Sequence, residues 1–148
     1  MLQNNISLQN NKHFYPPKTH TMNTGGKLTG TWKNRQHGLN VSLSIISFED
    51  SGSIVFYCPA LDVSGYGKSD SEAEHSLFTS MSEFFTYTLN KNTFLSELRR
   101  LGWTIRNSKR KPMTPPTMTR LLEENENFSN IFNKFDFKKF DQQVSLPV

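Results

Sequence analysis

The chain has 148 residues, a formal net charge of +4 and 34% hydrophobic residues, which suits one domain whose packed part is shorter than the chain. No apolar run reaches the roughly 18 residues of a membrane helix, and residues 1–11 lack the apolar stretch of a signal peptide, so the chain reads as soluble and cytoplasmic. The single Cys58 excludes an internal disulfide and a cysteine-based metal cluster; with the four histidines scattered, neither a metal nor another cofactor is expected.

Charge is distributed in three blocks. Residues 1–37 carry +5, residues 38–90 carry −6 and residues 91–148 carry +5. An acidic middle between basic ends is either a set of solvated faces or a surface suited to a basic partner.

Residues 1–37 are rich in Asn, Gln, Thr and Lys, and their apolar residues follow neither a helical nor a strand period. Such a segment cannot bury enough apolar surface to offset its ordering entropy, so a disordered basic arm is expected. From Gly38 the pattern changes. Leu39, Val41, Leu43 and Ile45 alternate with Asn40, Ser42 and Ser44, the period of a half-buried strand. A turn at residues 49–52 returns the chain through residues 53–58, rich in β-branched and aromatic side chains, to complete a hairpin. Pro59 ends regular pairing because it lacks an N–H. Residues 63–68 form a short third strand in which Gly65 and Gly67 weaken the strand or mark a bulge.

A helix over residues 69–90 follows. Ser69-Asp70-Ser71-Glu72 fits a capping box, and Ser71 to Glu74 offers a second register. Ala73, Leu77, Met81, Phe84 or Phe85, and Thr88 form a stripe that can face the sheet. Thr93 can cap a second helix with Phe94, Leu95, Leu98 and Leu101 on its apolar side, and Gly102 is placed to stop it. Trp103 and Ile105 suggest a short strand. RNSKRK, residues 106–111, is a basic connector kept extended by Pro112, Pro115 and Pro116. Thr117 or Thr119 can cap a third helix, which Phe128, Ile131 and Phe132 either extend or follow as a separate short helix. The alternation of Val144, Leu146 and Val148 suggests a final strand, and Pro147 argues for an edge position.

Two stretches carry a family resemblance. Tyr57-Cys58-Pro59-Ala60-Leu61, then Gly67-Lys68-Ser69-Asp70-Ser71-Glu72-Ala73, following the strand at residues 43–49, resemble the HicB-like antitoxins over about residues 39–90. The family often has Pro-Gly after the leucine, where this chain has Asp62-Val63. The resemblance implies a β-β-β-α core of degenerate ribonuclease H-like fold. It also implies a non-enzymatic protein that binds and masks a HicA-like toxin, a small basic protein that cleaves messenger RNA, and a homo-oligomer. A helix-turn-helix of the kind many such antitoxins carry is not evident after Asn90.

Three other chemistries can be read from the residues. Cys58 as a nucleophile needs a base, and His75 is the only histidine close in sequence; a cysteine at a strand end is more often a small buried apolar residue. Glu49, Asp50 and Asp62 have no spacing that gathers them around magnesium and read as surface acids. Arg99, Arg100, Arg106, Lys109, Arg110 and Lys111 form a basic footprint, the basis of the alternative reading as a nucleic-acid-binding module. The expectation is thus an α+β protein with three parts: the arm at 1–37, a core of small antiparallel sheet and helix at 38–105, and a basic linker with a helical C-terminal extension at 106–148. Charge and hydrophobicity select Asp62, Asp70, Glu72 and Glu74 as rim contacts for the partner and Phe135, Phe137 and Phe140 as apolar anchors.

Overall fold

A computed structural model describes residues 27–28, 38–107 and 113–147. Seven strands and four helices follow one another in this part of the chain: β1 (Lys27–Leu28), β2 (Gly38–Asp50), β3 (Ser53–Cys58), β4 (Val63–Gly67), α1 (Asp70–Asn90), α2 (Phe94–Arg100), β5 (Thr104–Ile105), β6 (Met113–Thr114), α3 (Met118–Glu124), α4 (Glu126–Lys134) and β7 (Phe137–Pro147). The fold is α+β. Its main sheet has the order β1-β7-β2-β3-β4, antiparallel except where β1 runs parallel to β7, and β5 and β6 form a separate two-stranded ribbon.

The pattern of β2 shows how the layers arise. Val41, Leu43 and Ile45 point to one face and join a core with Leu77, Met81 and Phe85 of α1 and Leu98 of α2. Asn40 and Ser42, which alternate with them on the other side, are exposed, so the opposite face is open there. At Ile45-Ile46 the alternation breaks. Ile46 and Phe48 enter a second core with Val55, Tyr57, Leu121, Phe128 and Ile131, beneath α3 and α4. β3 crosses this doubly covered region, and its uninterrupted apolar run from Ile54 to Cys58 is what burial on both faces requires. The sheet is therefore covered on one face by α1 and α2, and on part of the other by α3 and α4.

Local signals set the connections. Ser51 and Gly52 both have positive φ, 53° and 80°, as a tight hairpin turn between right-twisted strands demands. Glu49 and Asp50 belong to β2 rather than to the turn. Ser69 caps α1, accepting from the Glu72 N–H at 3.2 Å, while Glu72 Oε1 accepts from the Lys68 N–H at 3.2 Å, so the first of the two capping registers is used. Thr93 stands at the start of α2, but its side chain makes no cap; its hydroxyl donates to the Thr88 carbonyl at 3.4 Å. Gly102, with φ of 95°, closes α2. Thr117 caps α3, and Asn125 ends α3 while its side chain caps α4.

Four expectations are corrected. β4 pairs with β3 without a bulge from Val63 to Gly67. Its glycines exist for proximity: a Cβ on Gly65 would collide with the Leu77 backbone, and one on Gly67 with Glu72 and Ala73. The last strand is longer than its alternation suggested, and it is interior, between β1 and β2. Pro147 is tolerated because β1 meets β7 only at Gln143 and Val144, so its missing N–H falls beyond that ladder. The separation at residue 105 does not hold for the sheet, since β7 pairs with β2 from Gly38–Pro147 to Phe48–Phe137. Of the expected disordered arm, Lys27–Leu28 instead pair with β7; the rest of that arm lies outside the described residues.

Candidate interaction surface

The strands run between two ends of the molecule, and the candidate residues divide between them. At one end lie the β2–β3 turn, the start of α1 and the end of α4. At the other lie the β3–β4 turn, α2 and the α3–α4 junction.

At the first end the chain builds a groove of about 550 Å³ lined by Ser47, Phe48, Glu49, Ile54, Asp70, Lys134, Phe135, Asp136, Phe137 and Lys138. Its aromatic floor follows from register. Phe137 opens β7 opposite Phe48 of β2, and Phe135, in extended conformation after α4, lays its ring 4.6 Å from that of Phe48. Phe132, 45% exposed, packs its ring 5.3 Å from Phe137 and continues the aromatic surface outward. Exposed Glu49, Asp70 and Asp136 supply three carboxylates, and no ion pair among the described residues joins them to a base. Lys134 Nζ sits 5.2 Å from the centre of the Phe135 ring. Asp70, Phe135 and Phe137, chosen separately on charge and hydrophobicity, therefore meet in one groove.

The other four candidates lie elsewhere. Asp62, in left-handed conformation with φ of 53°, is at the far end of β4 from Asp70. It accepts the Tyr57 hydroxyl at 2.6 Å and the Asn127 amide at 3.3 and 3.4 Å. Asn125 donates to the Tyr57 oxygen at 3.0 Å and to the Pro59 carbonyl at 3.4 Å. Burial, then the adjacent Asp62 carboxylate, push the Tyr57 hydroxyl far above its ordinary pKa, so it stays a donor. Half-buried Asp62 thus ties the β3–β4 turn to α4, beside a cleft of about 310 Å³ that Arg100, Arg120, Glu124 and Glu126 also line. Glu72 is exposed but engaged in capping α1. Glu74 is corrected as a rim contact: it is fully buried, and burial pushes its carboxyl up to about 7. Phe140 packs on the opposite face of the sheet from Phe137, 5.5 Å from Phe56, and cannot act with it.

The remaining candidates are also placed. Cys58 is fully buried, and burial pushes its thiol up to about 12, the reverse of what a nucleophile needs. Glu49 and Asp50 are at the opposite end of β3 from Asp62, so the three carboxylates do not converge. In the basic stretch Arg99 and Arg106 are exposed, while Arg100 is paired with Glu97 at 2.8 Å. Lys109, Arg110 and Lys111 lie outside the described residues. Trp103 is buried and donates its indole N–H to the Ala60 carbonyl at 2.7 Å, which makes it a core anchor instead of a stacking platform.

Sequence alone does not mark Lys134 as a groove residue, and it places Phe132 in a helix without assigning it to the surface. The i, i+3 and i+4 spacing of Phe128, Ile131, Phe132 and Phe135 was the available signal, because it carries the aromatic stripe of α4 past the helix end. No helix among the described residues is long and apolar enough to cross a membrane. No family model, curated protein or solved structure matches this chain.

Proposed function

We infer that this protein is a non-enzymatic binding protein of the HicB-like antitoxin kind, which masks the active surface of a basic, messenger-RNA-cleaving partner of the HicA type. The observation that carries the reading is the groove at the start of α1. It joins an aromatic floor, which supplies buried area, to three carboxylates without ion pairs among the described residues, which supply attraction for a basic protein. The β-β-β-α order of β2, β3, β4 and α1 agrees with the core that the resemblance implies, and the finer ribonuclease H-like description belongs to this proposal. Acidic residues concentrated between positions 38 and 90 favour such a partner over nucleic acid.

The test is co-purification of the tagged full chain from its native cells, with nuclease on half the sample, followed by co-expression with any small basic protein recovered. A nuclease-resistant partner is expected, whose toxicity and RNA cleavage this chain suppresses and the Asp70→Arg variant does not. Recovery of nucleic acid alone, lost at moderate salt, refutes the antitoxin reading and moves the function to the basic stretch beginning at Arg99.

A further inference from the structure

The same groove carries information about what it recognises. Its cationic contact is internal: Lys134 at the end of α4 places its ammonium over the Phe135 ring, 5.2 Å from the centroid, in a groove that Glu49, Asp70, Asp136 and Lys138 also line. The lysine marks a position where aromatic π density and negative charge both favour a cation. It is also a weak occupant. Ammonium is a compact, strongly hydrated charge on an exposed side chain, and no ion pair among the described residues fixes it to a carboxylate. A guanidinium suits the position better, because it is planar, stacks on a ring face, is more weakly hydrated and bonds carboxylates through two N–H groups at once.

We propose that the groove between the start of α1 and the end of α4 is an arginine receptacle, in which an arginine side chain of the basic partner displaces Lys134 from the Phe135 face and bonds to the rim carboxylates. This rests on the partner-binding reading above and deepens it. Lys134 then acts as an internal competitor that keeps the groove from closing on weaker cations such as lysine. The groove volume of about 550 Å³ admits a long side chain with part of its backbone.

Three capped tetrapeptides, with central Arg-Arg, Lys-Lys or citrulline pairs, test this by amide NMR titration of the full chain. The arginine peptide is expected to shift the signals of Asp70 and of residues 134–138, and to bind at least about fivefold tighter than the lysine peptide. The citrulline peptide should shift none of them. Lys134→Met should tighten the arginine peptide about threefold, and Asp70→Asn with Asp136→Asn should weaken it about fivefold. Equal binding of arginine and lysine peptides, shifts outside the groove, or weaker binding by Lys134→Met would each overturn the proposal. A partner that co-purifies in spite of such a result would leave the antitoxin reading standing and remove only the arginine assignment.

Discussion

Single residues hold the corners of this fold, and their substitutions should report which contacts matter. Tyr57 bridges Asp62 and Asn125, so Tyr57→Phe leaves both polar groups short of a partner in a half-buried place. The expected loss is about 1–3 kcal/mol, read from the urea midpoint, and an unchanged midpoint would show that water replaces the hydroxyl freely. Gly65→Ala should cost about 3 kcal/mol or prevent folding, because the added methyl meets the α1 backbone and not a flexible side chain. Glu74 predicts a pH dependence. Its folded pKa is raised from 4.5 to about 7 by burial, so the neutral form is the one the fold accommodates. Stability from this group is full below about pH 4.5, declines as pH rises through 7 and stays low above it; the span is at most ~3 kcal/mol. Glu74→Gln should therefore raise stability at pH 8 and leave it unchanged at pH 4, measured by thermal melts across pH. The burial of Glu74 was not legible in the sequence, because a glutamate in the second turn of a capped helix looks solvated. Residues 73–77 are all buried, so no side of that turn is open to water.

At the scale of elements, short-range signals gave reliable expectations. The hairpin of β2 and β3, the capping box of α1 and the stop at Gly102 each depend on residues within a few positions of one another, while the sequence leaves open the choice between one helix and two after Thr117. β7 was foreseen only in its last residues. Its first half, Phe-Lys-Lys-Phe-Asp, carries charges on its open face, where Lys139 pairs with Asp141 at 3.1 Å and Ser44 of β2 donates to Asp141 at 3.1 Å. Those charges hide a strand whose pairing is long-range. The edge of β4 shows another relation invisible to periodicity. Ser76 accepts from the Tyr66 N–H at 2.8 Å, and Ser80 donates to the Ser64 carbonyl at 2.8 Å, so α1 blocks the outer edge of the sheet with side-chain hydroxyls. Replacing both serines with alanine should cost about 1–3 kcal/mol. It should also expose an unsatisfied strand edge, seen as concentration-dependent self-association by analytical ultracentrifugation; a variant that stays in the wild-type oligomeric state would show that the helix shields the edge by bulk alone.

For the whole molecule, the interaction surface depended on how strand length separates residues. Asp62 and Asp70 are eight positions apart and both acidic, yet β4 carries one to each end of the sheet, and only Asp70 reaches the aromatic floor. Composition identified the acids and the phenylalanines, while register brought Phe48 opposite Phe137 and so decided which of them meet. The integration of β7 also predicts that residues 38–105 expressed alone do not fold. Cooperative urea unfolding of that fragment would contradict this. The pairing of β2 with β7 has a consequence in time. Gly38 and Pro147 stand at opposite ends of the described core, so during translation β2 leaves the ribosome long before its neighbour exists. At about 5–20 residues per second the wait is on the order of ten seconds, during which Val41, Leu43 and Ile45 lie beside an open strand edge. Messages cut before the β7 codons would yield chains that keep this edge permanently, and such chains are the natural prey of chaperones and proteases. Completion of the sheet is thereby coupled to a message intact through the β7 codons.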